Sequence, residues 1–238
     1  MKKLLLSAFV ICLAGTSIAQ ESPLWMRHCA LSPDGTTIAF TYKGDIYTVP
    51  STGGRATQIT TNPAFDTEPV WSPDSKQIAF ASDRMGSLDV FVVSSEGGAP
   101  QRLTTHSGSE KPVAYKDNKH ILFTANIAPS AEDAGFPSGQ FQQVYEVAVT
   151  GGRPAMFSSM PMECITINKE GVMLYQDKKG YEDYWRKHQK SPIARDIWML
   201  RPGQTPRYEK QTTFIGEDRE PVWAPDGKSF YYLSEENG

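Results

Sequence analysis

A unit of about 40 residues that recurs along the chain limits what this sequence can fold into more than any other feature. The clearest copy runs from Glu68 to Thr104. It holds Val70-Trp71, Ile78-Ala79-Phe80-Ala81, Val90-Phe91-Val92-Val93 and Arg102-Leu103. The turn signals Ser72-Pro73-Asp74, Asp83-Arg84-Met85-Gly86 and Gly97-Gly98 separate these runs. Short β-rich runs joined by such turns predict consecutive antiparallel hairpins, because Asp, Pro and Gly supply the backbone angles that tight turns need. One unit is then a four-stranded meander, the size of a β-propeller blade.

The preceding copy repeats the landmarks as Ser32-Pro33-Asp34-Gly35, Ile38-Ala39-Phe40, Asp45-Ile46-Tyr47 and Gly53-Gly54, with Pro33 and Pro73 standing 40 positions apart. A third copy keeps Pro112-Val113-Ala114-Tyr115, Ile121-Leu122-Phe123, Val144-Tyr145 and Gly151-Gly152, with Lys116-Asp117-Asn118 as its tight turn. The fourth keeps Ile165-Thr166-Ile167-Asn168, Met173-Leu174-Tyr175, Ile197-Trp198-Met199-Leu200 and Pro202-Gly203. The fifth begins at Glu220-Pro221-Val222-Trp223-Ala224-Pro225-Asp226 and reaches only Tyr231-Tyr232-Leu233 before Gly238.

The expected fold is all-β, a β-propeller with about four and a half WD40-like blades present of a six-bladed ring. The approximate blade spans are 24–60, 66–104, 109–157, 162–213 and a partial blade at 217–238. A blade needs neighbours to cover both faces. An arc that stops after two strands therefore reads as part of a longer chain, against the alternative of a small complete propeller.

Within each copy the first run is expected nearest the axis and the last outermost. This order makes Trp71, Phe80, Phe91, Trp223 and Tyr231 blade-to-blade packing groups. Asp34, Asp74, Asp83 and Arg84 fall in turns, where a carboxylate accepts backbone N–H bonds. The segments 126–142 and 176–195 interrupt the period as long loops between second and third strands, the positions where binding residues concentrate on rigid scaffolds. In the second loop, Tyr181, Tyr184, Trp185 and His188 would share a face if it formed a short helix. Trp185 as an anchor of the loop on the rim is the plainer reading.

Lys2-Lys3, the apolar run Leu4 to Ala14 and Ser17-Ile18-Ala19 form a secretory signal, with the mature chain starting near Gln20. The charge balance is 24 basic against 27 acidic groups, and it becomes more negative once Lys2 and Lys3 leave. Such a surface argues against nucleic acid or an anionic membrane as partner. No second apolar stretch is long enough to span a bilayer. Cys29 and Cys164 lie in distant copies and are expected as buried free thiols.

No Gly-x-Ser-x-Gly elbow, metal-binding His or Cys spacing, or phosphate-binding glycine loop occurs in the sequence. His28, His106, His120 and His188 are scattered, and Glu217-Asp218 and Glu235-Glu236 read as solvated connections. No catalytic, cofactor-binding or metal-ligating residue is assigned, and no cofactor is expected.

The repeat Ser72-Pro73-Asp74, Ile78-Ala79-Phe80-Ala81-Ser82-Asp83-Arg84 and Glu96-Gly97-Gly98 resembles that of many extracytoplasmic propellers. The first blade follows the signal directly, with Tyr42-Lys43-Gly44-Asp45-Ile46-Tyr47 and Gly53-Gly54. The fourth-copy insertion runs from Tyr184-Trp185-Arg186 into Arg195-Asp196-Ile197-Trp198. Together these resemble the amino-terminal propeller of tricorn-type serine proteases.

The resemblance implies an exported, periplasmic or extracellular propeller that gates or guides peptides to a catalytic domain elsewhere in the parent chain. Its implied partners are peptides or proteins, the remaining domains of the parent and, in an assembly, further copies of itself. Two other readings stay open: the propeller of a prolyl-oligopeptidase-type hydrolase, and a non-enzymatic periplasmic binding propeller of the Tol-Pal type. A small α/β domain normally precedes the latter, and this chain leaves no room for one between signal and first blade.

Overall fold

The computed structural model describes residues 25–127, 141–180, 190–203 and 207–237. These form five antiparallel sheets in chain order. The first blade comprises β1 (Arg27–Leu31), β2 (Thr37–Tyr42), β3 (Asp45–Pro50) and β4 (Thr57–Gln58). The second comprises β5 (Asp66–Trp71), β6 (Gln77–Ser82), β7 (Asp89–Ser94) and β8 (Gln101–Arg102). The third is built from β9 (Lys111–Asp117), β10 (His120–Ala125), β11 (Gln143–Ala148) and β12 (Ala155–Ser158). The fourth contains β13 (Met162–Ile167), β14 (Met173–Asp177), β15 (Ile197–Leu200) and β16 (Tyr208–Lys210). A hairpin of β17 (Asp218–Trp223) and β18 (Phe230–Ser234) follows.

Each strand pairs with the next in sequence, so every blade is a plain meander. The first strands of successive blades touch one another, β1 to β5, β5 to β9, β9 to β13 and β13 to β17. They crowd a common axis, and the short fourth strands lie at the periphery.

Burial on both faces explains why the middle strands read as unbroken apolar runs. In β6, Ile78 and Phe80 join a cluster with Ala39, Ile46 and Trp71 against the first blade. Ala79 points the other way, to Tyr115, Ile121 and Phe123 of the third. β10 splits likewise, with Ile121 and Phe123 toward the second blade and Leu122 toward Met173 and Tyr175 of the fourth. One aromatic pair recurs across the second and third strands: Phe40–Tyr47, Phe80–Phe91 and Phe123–Tyr145, with ring centroids 5.9, 5.9 and 5.7 Å apart. Such cross-strand pairs hold register as well as adding burial.

The Ser-Pro-Asp turns work as expected. Asp74 Oδ1 accepts from Ser72 Oγ at 2.7 Å and Lys76 N at 3.2 Å, and Asp34 Oδ1 accepts from Ser32 Oγ at 2.6 Å and Thr36 N at 2.9 Å. Asn168 replaces the aspartate in the fourth blade, accepting from Glu170 N and Val172 N. Turns also link neighbouring blades: Asp34 N donates to Ser75 Oγ, Asp74 N to Asn118 Oδ1, and Asn168 Nδ2 to the Gly227 carbonyl.

Several expectations need correction. Cys29 and Cys164 are free but exposed, because both stand at irregular places in first strands rather than in the sheet interior. Arg84 is more than a turn residue, since its guanidinium binds the buried Asp66. Glu217 and Asp218 are buried, because the start of β17 tucks under the fourth blade, where Asp218 N donates to the Arg195 carbonyl. Tyr231 is 69% exposed and packs against no other blade among the described residues. The signal segment, the inner part of the 126–142 loop and the aromatic face at Tyr181, Tyr184, Trp185 and His188 lie outside the described residues.

Candidate functional site

One irregularity repeats at the same place in the first strands. The pairing slips between Arg27 and Ala30, Thr67 and Val70, Glu163 and Thr166, and Arg219 and Val222. Inside each slip one residue has a left-handed backbone: His28 (φ 51), Glu68 (φ 55), Cys164 (φ 51) and Glu220 (φ 54). A bulge adds one unpaired residue and re-aims its side chain. None of the four is glycine, so each carries a backbone cost of order 1–3 kcal/mol that the surrounding sheet must offset. β9 slips in the same region, opposite Leu122 and Phe123. Only the phase slip hints at these bulges in sequence, since neither glycine nor any other fixed residue type marks them.

Glu68 and Cys164 line a cavity of about 290 Å³ together with Val113, Thr124, Glu163 and Lys178. These residues come from the second, third and fourth blades, so the cavity sits where first strands converge. Charged side chains pair around it. Lys111 Nζ lies 2.7 Å from Glu68 Oε1, bridging the second and third blades. Glu163 receives Lys178 Nζ at 2.9 Å and Arg195 Nε at 3.2 Å, and Arg195 Nη1 reaches Glu217 Oε1 at 2.7 Å, tying the fourth blade to the last hairpin. Burial works to raise the Glu163 pKa, but the hydrogen bond and charge of Lys178, with Arg195 behind it, hold the carboxyl below its usual range. The Cys164 thiol is pushed up to about 11 by desolvation at the cavity wall and by the charges of Glu163 and Glu220. It is thus a poor nucleophile at neutral pH.

The described histidines do not converge. His106 faces Glu110 at 3.5 Å, and His120 Nδ1 is 3.0 Å from Asp117 in the turn between β9 and β10. Among the described residues no group of three His, Cys, Asp or Glu side chains is arranged to hold a metal ion. Nor, among them, is any helix long and apolar enough to cross a membrane. The arrangement is a cavity between three blades ringed by paired charges of both signs.

Four-stranded meanders whose first strands converge on one axis define the β-propeller class. Residues 23–238 match the tricorn protease N-terminal beta propeller domain, and the chain belongs to that family.

It is 39% identical over 208 residues to tricorn protease homolog 1 of Streptomyces coelicolor, covering 87% of this chain and 18% of that protein. An uncharacterized peptidase, YuxL, of Bacillus subtilis is 32% identical over 108 residues, covering 40% of this chain and 16% of that protein. The chain thus spans less than a fifth of the length of either relative. Among solved structures, the tricorn protease superimposes with a TM-score of 0.69 at 16% identity, covering 91% of this chain and 21% of that one. A putative TolB from Agrobacterium tumefaciens gives 0.58 at 23% identity, covering 87% and 75%.

Proposed function

We propose that this propeller is the non-catalytic entrance of an exported tricorn-like serine peptidase, guiding or gating peptides toward a catalytic domain carried elsewhere in the parent chain. The observation that carries the reading is the cavity at the converging first strands, where Glu68, Glu163, Lys178 and the Thr124 hydroxyl present both charge signs and a hydrogen-bonding group to an extended chain. Family membership supplies the peptidase context. Export rests on the sequence signal at residues 1–19.

The test pairs binding with turnover. The isolated 238-residue chain is titrated with fluorescent peptides of mixed charge and assayed for hydrolysis. Saturable binding that Glu68→Lys with Glu163→Lys weakens, without cleavage, supports the reading. Specific cleavage by the chain alone overturns the non-catalytic role, and binding indifferent to both substitutions removes the axial cavity from it.

A second reading, a periplasmic protein-binding propeller of the Tol-Pal type, is favoured by the superposition over 75% of the putative TolB chain. Tight binding of a folded protein, with no affinity for peptides, selects it.

A further inference from the structure

Successive blades are joined at one recurring position by a buried acid. Asp66, Glu110 and Asp218 each donate their backbone N–H to a carbonyl of the preceding blade, Gly44, Leu88 and Arg195 in turn. Asp66 is neutralised: Arg84 Nη2 lies 3.0 Å from both of its oxygens. Glu110 is not. Opposite pairing of Thr67 with Ala81 and of Lys111 with Thr124 makes Glu110 the counterpart of Asp66, and puts Ile127 where the second blade has Arg84. Ile127 packs on the apolar cluster between second and third blades and brings no charge.

Glu110 is fully buried, no cation donates a hydrogen bond to its side-chain oxygens, and the Thr104 hydroxyl and the Asp89 carboxyl face it. The charged groups around it are few. From β7 comes Asp89, itself fully buried, and from β8 comes Arg102. Arg102 Nη2 lies 3.0 Å from Asp89 Oδ1 and 2.9 Å from Asp89 Oδ2, so its charge is committed to Asp89. From the connection to the third blade comes His106, whose Nδ1 lies 3.5 Å from Glu110 Oε1. That nitrogen already accepts from Gly108 N at the shorter distance of 3.0 Å. From β9 comes Lys111, drawn away to Glu68. Two buried carboxylates thus face one guanidinium, which is bonded to Asp89. An unpaired buried carboxylate is costly enough that holding a proton is the cheaper state.

We propose that Glu110 is kept as the neutral acid, its proton shared with Asp89, and that the joint between the second and third blades is a pH-responsive latch. The latch is closed while Glu110 holds the proton and loosens when the proton leaves. Burial pushes the Glu110 carboxyl from 4.5 up to about 7, with the charge of Asp89 adding to it. A folded pKa above the unfolded one means the contribution is complete below pH 4.5 and is lost as pH rises through about 7. The loosening acts beside Lys111 and Glu68, and so on the wall of the axial cavity.

The experiment uses the full chain. Native-state hydrogen exchange at the amides of Glu110 and Val90, corrected for intrinsic rates, is compared between about pH 6 and about pH 8.5. Protection should fall by at least about tenfold across that range in the wild type. It should be level in Glu110→Gln, which mimics the neutral acid, and in Ile127→Arg, which restores the guanidinium. Infrared difference spectra at the lower pH should show a protonated-carboxyl carbonyl band in the wild type that both variants lack. Level protection in the wild type overturns the latch, as does absence of the band or its persistence in Glu110→Gln. If Ile127→Arg fails to fold, the other variant and the band decide alone.

Discussion

Trp71 Nε1 donates a 3.0 Å hydrogen bond to the carbonyl of Ala30, joining the first strand of the second blade to that of the first. Its ring lies in the cluster with Ile46 and Phe80, so one side chain both packs the junction and ties its backbone. Trp223 holds the matching place in the fifth copy, where its Nε1 is buried with no partner.

Trp71→Ala should therefore cost about 3–5 kcal/mol, the range for a large buried aromatic. Denaturant unfolding followed by tyrosine fluorescence measures it. A loss below about 1 kcal/mol would mean the ring does not carry the junction.

Trp223→Phe should be close to neutral, within about 1 kcal/mol, because it deletes a donor that bonds to nothing. The same exchange at Trp71 gives up a made bond and strands the Ala30 acceptor. Equal penalties at the two sites would contradict the asymmetry.

Arg84 closes over the Phe91 ring with its guanidinium carbon 4.5 Å from the centroid while binding Asp66. Arg84→Met leaves that carboxylate buried and unpaired, at a cost of about 3–5 kcal/mol. Adding Asp66→Asn should recover more than half of it in a double-mutant cycle. Additive losses would show that the pair is not coupled.

Asp34 is held down to about 2 from 3.8, first by the hydrogen bond from Ser32 and then by those from Thr36. With the folded value depressed, its contribution to the turn is present above pH 3.8 and fades as pH falls through about 2. Carboxyl-detected NMR should show Asp34 titrating near the lower value, and Ser32→Ala should move it upward. An unchanged titration in the variant would assign the shift elsewhere.

Cys164 should resist alkylation. A thiol raised from 9.0 to about 11 has its thiolate cut by roughly two orders of magnitude at neutral pH. Iodoacetamide labelling read by mass spectrometry should therefore run at least about tenfold slower than in the unfolded chain. A rate matching the unfolded chain would show an open, ordinary thiol.

Blade architecture was legible in the residues because its signals are local. Ser72-Pro73-Asp74 closes its own turn through Ser72 Oγ and Asp74 Oδ1, and Ile78-Ala79-Phe80 declares a strand covered on both faces. The site was less legible. Glu217 and Asp218 read as solvated acids because nothing adjacent in sequence buries them; the fourth blade does. The bulges at Glu68 and Cys164 leave no residue signature in the sequence because a slip of pairing needs no particular residue.

The chain's sequence by itself determined the repeat, the strand order and the turn chemistry, since each depends on contacts within a few residues. Only the tertiary structure decided which acids are neutralised across a joint, where the first strands bulge and which blades share the axial cavity. Those properties depend on partners 18 to 43 residues away, as Arg84 is from Asp66, Arg195 from Glu217 and Lys111 from Glu68. Burial and charge are set by what the neighbouring blade presents, and a sequence pattern does not carry that information.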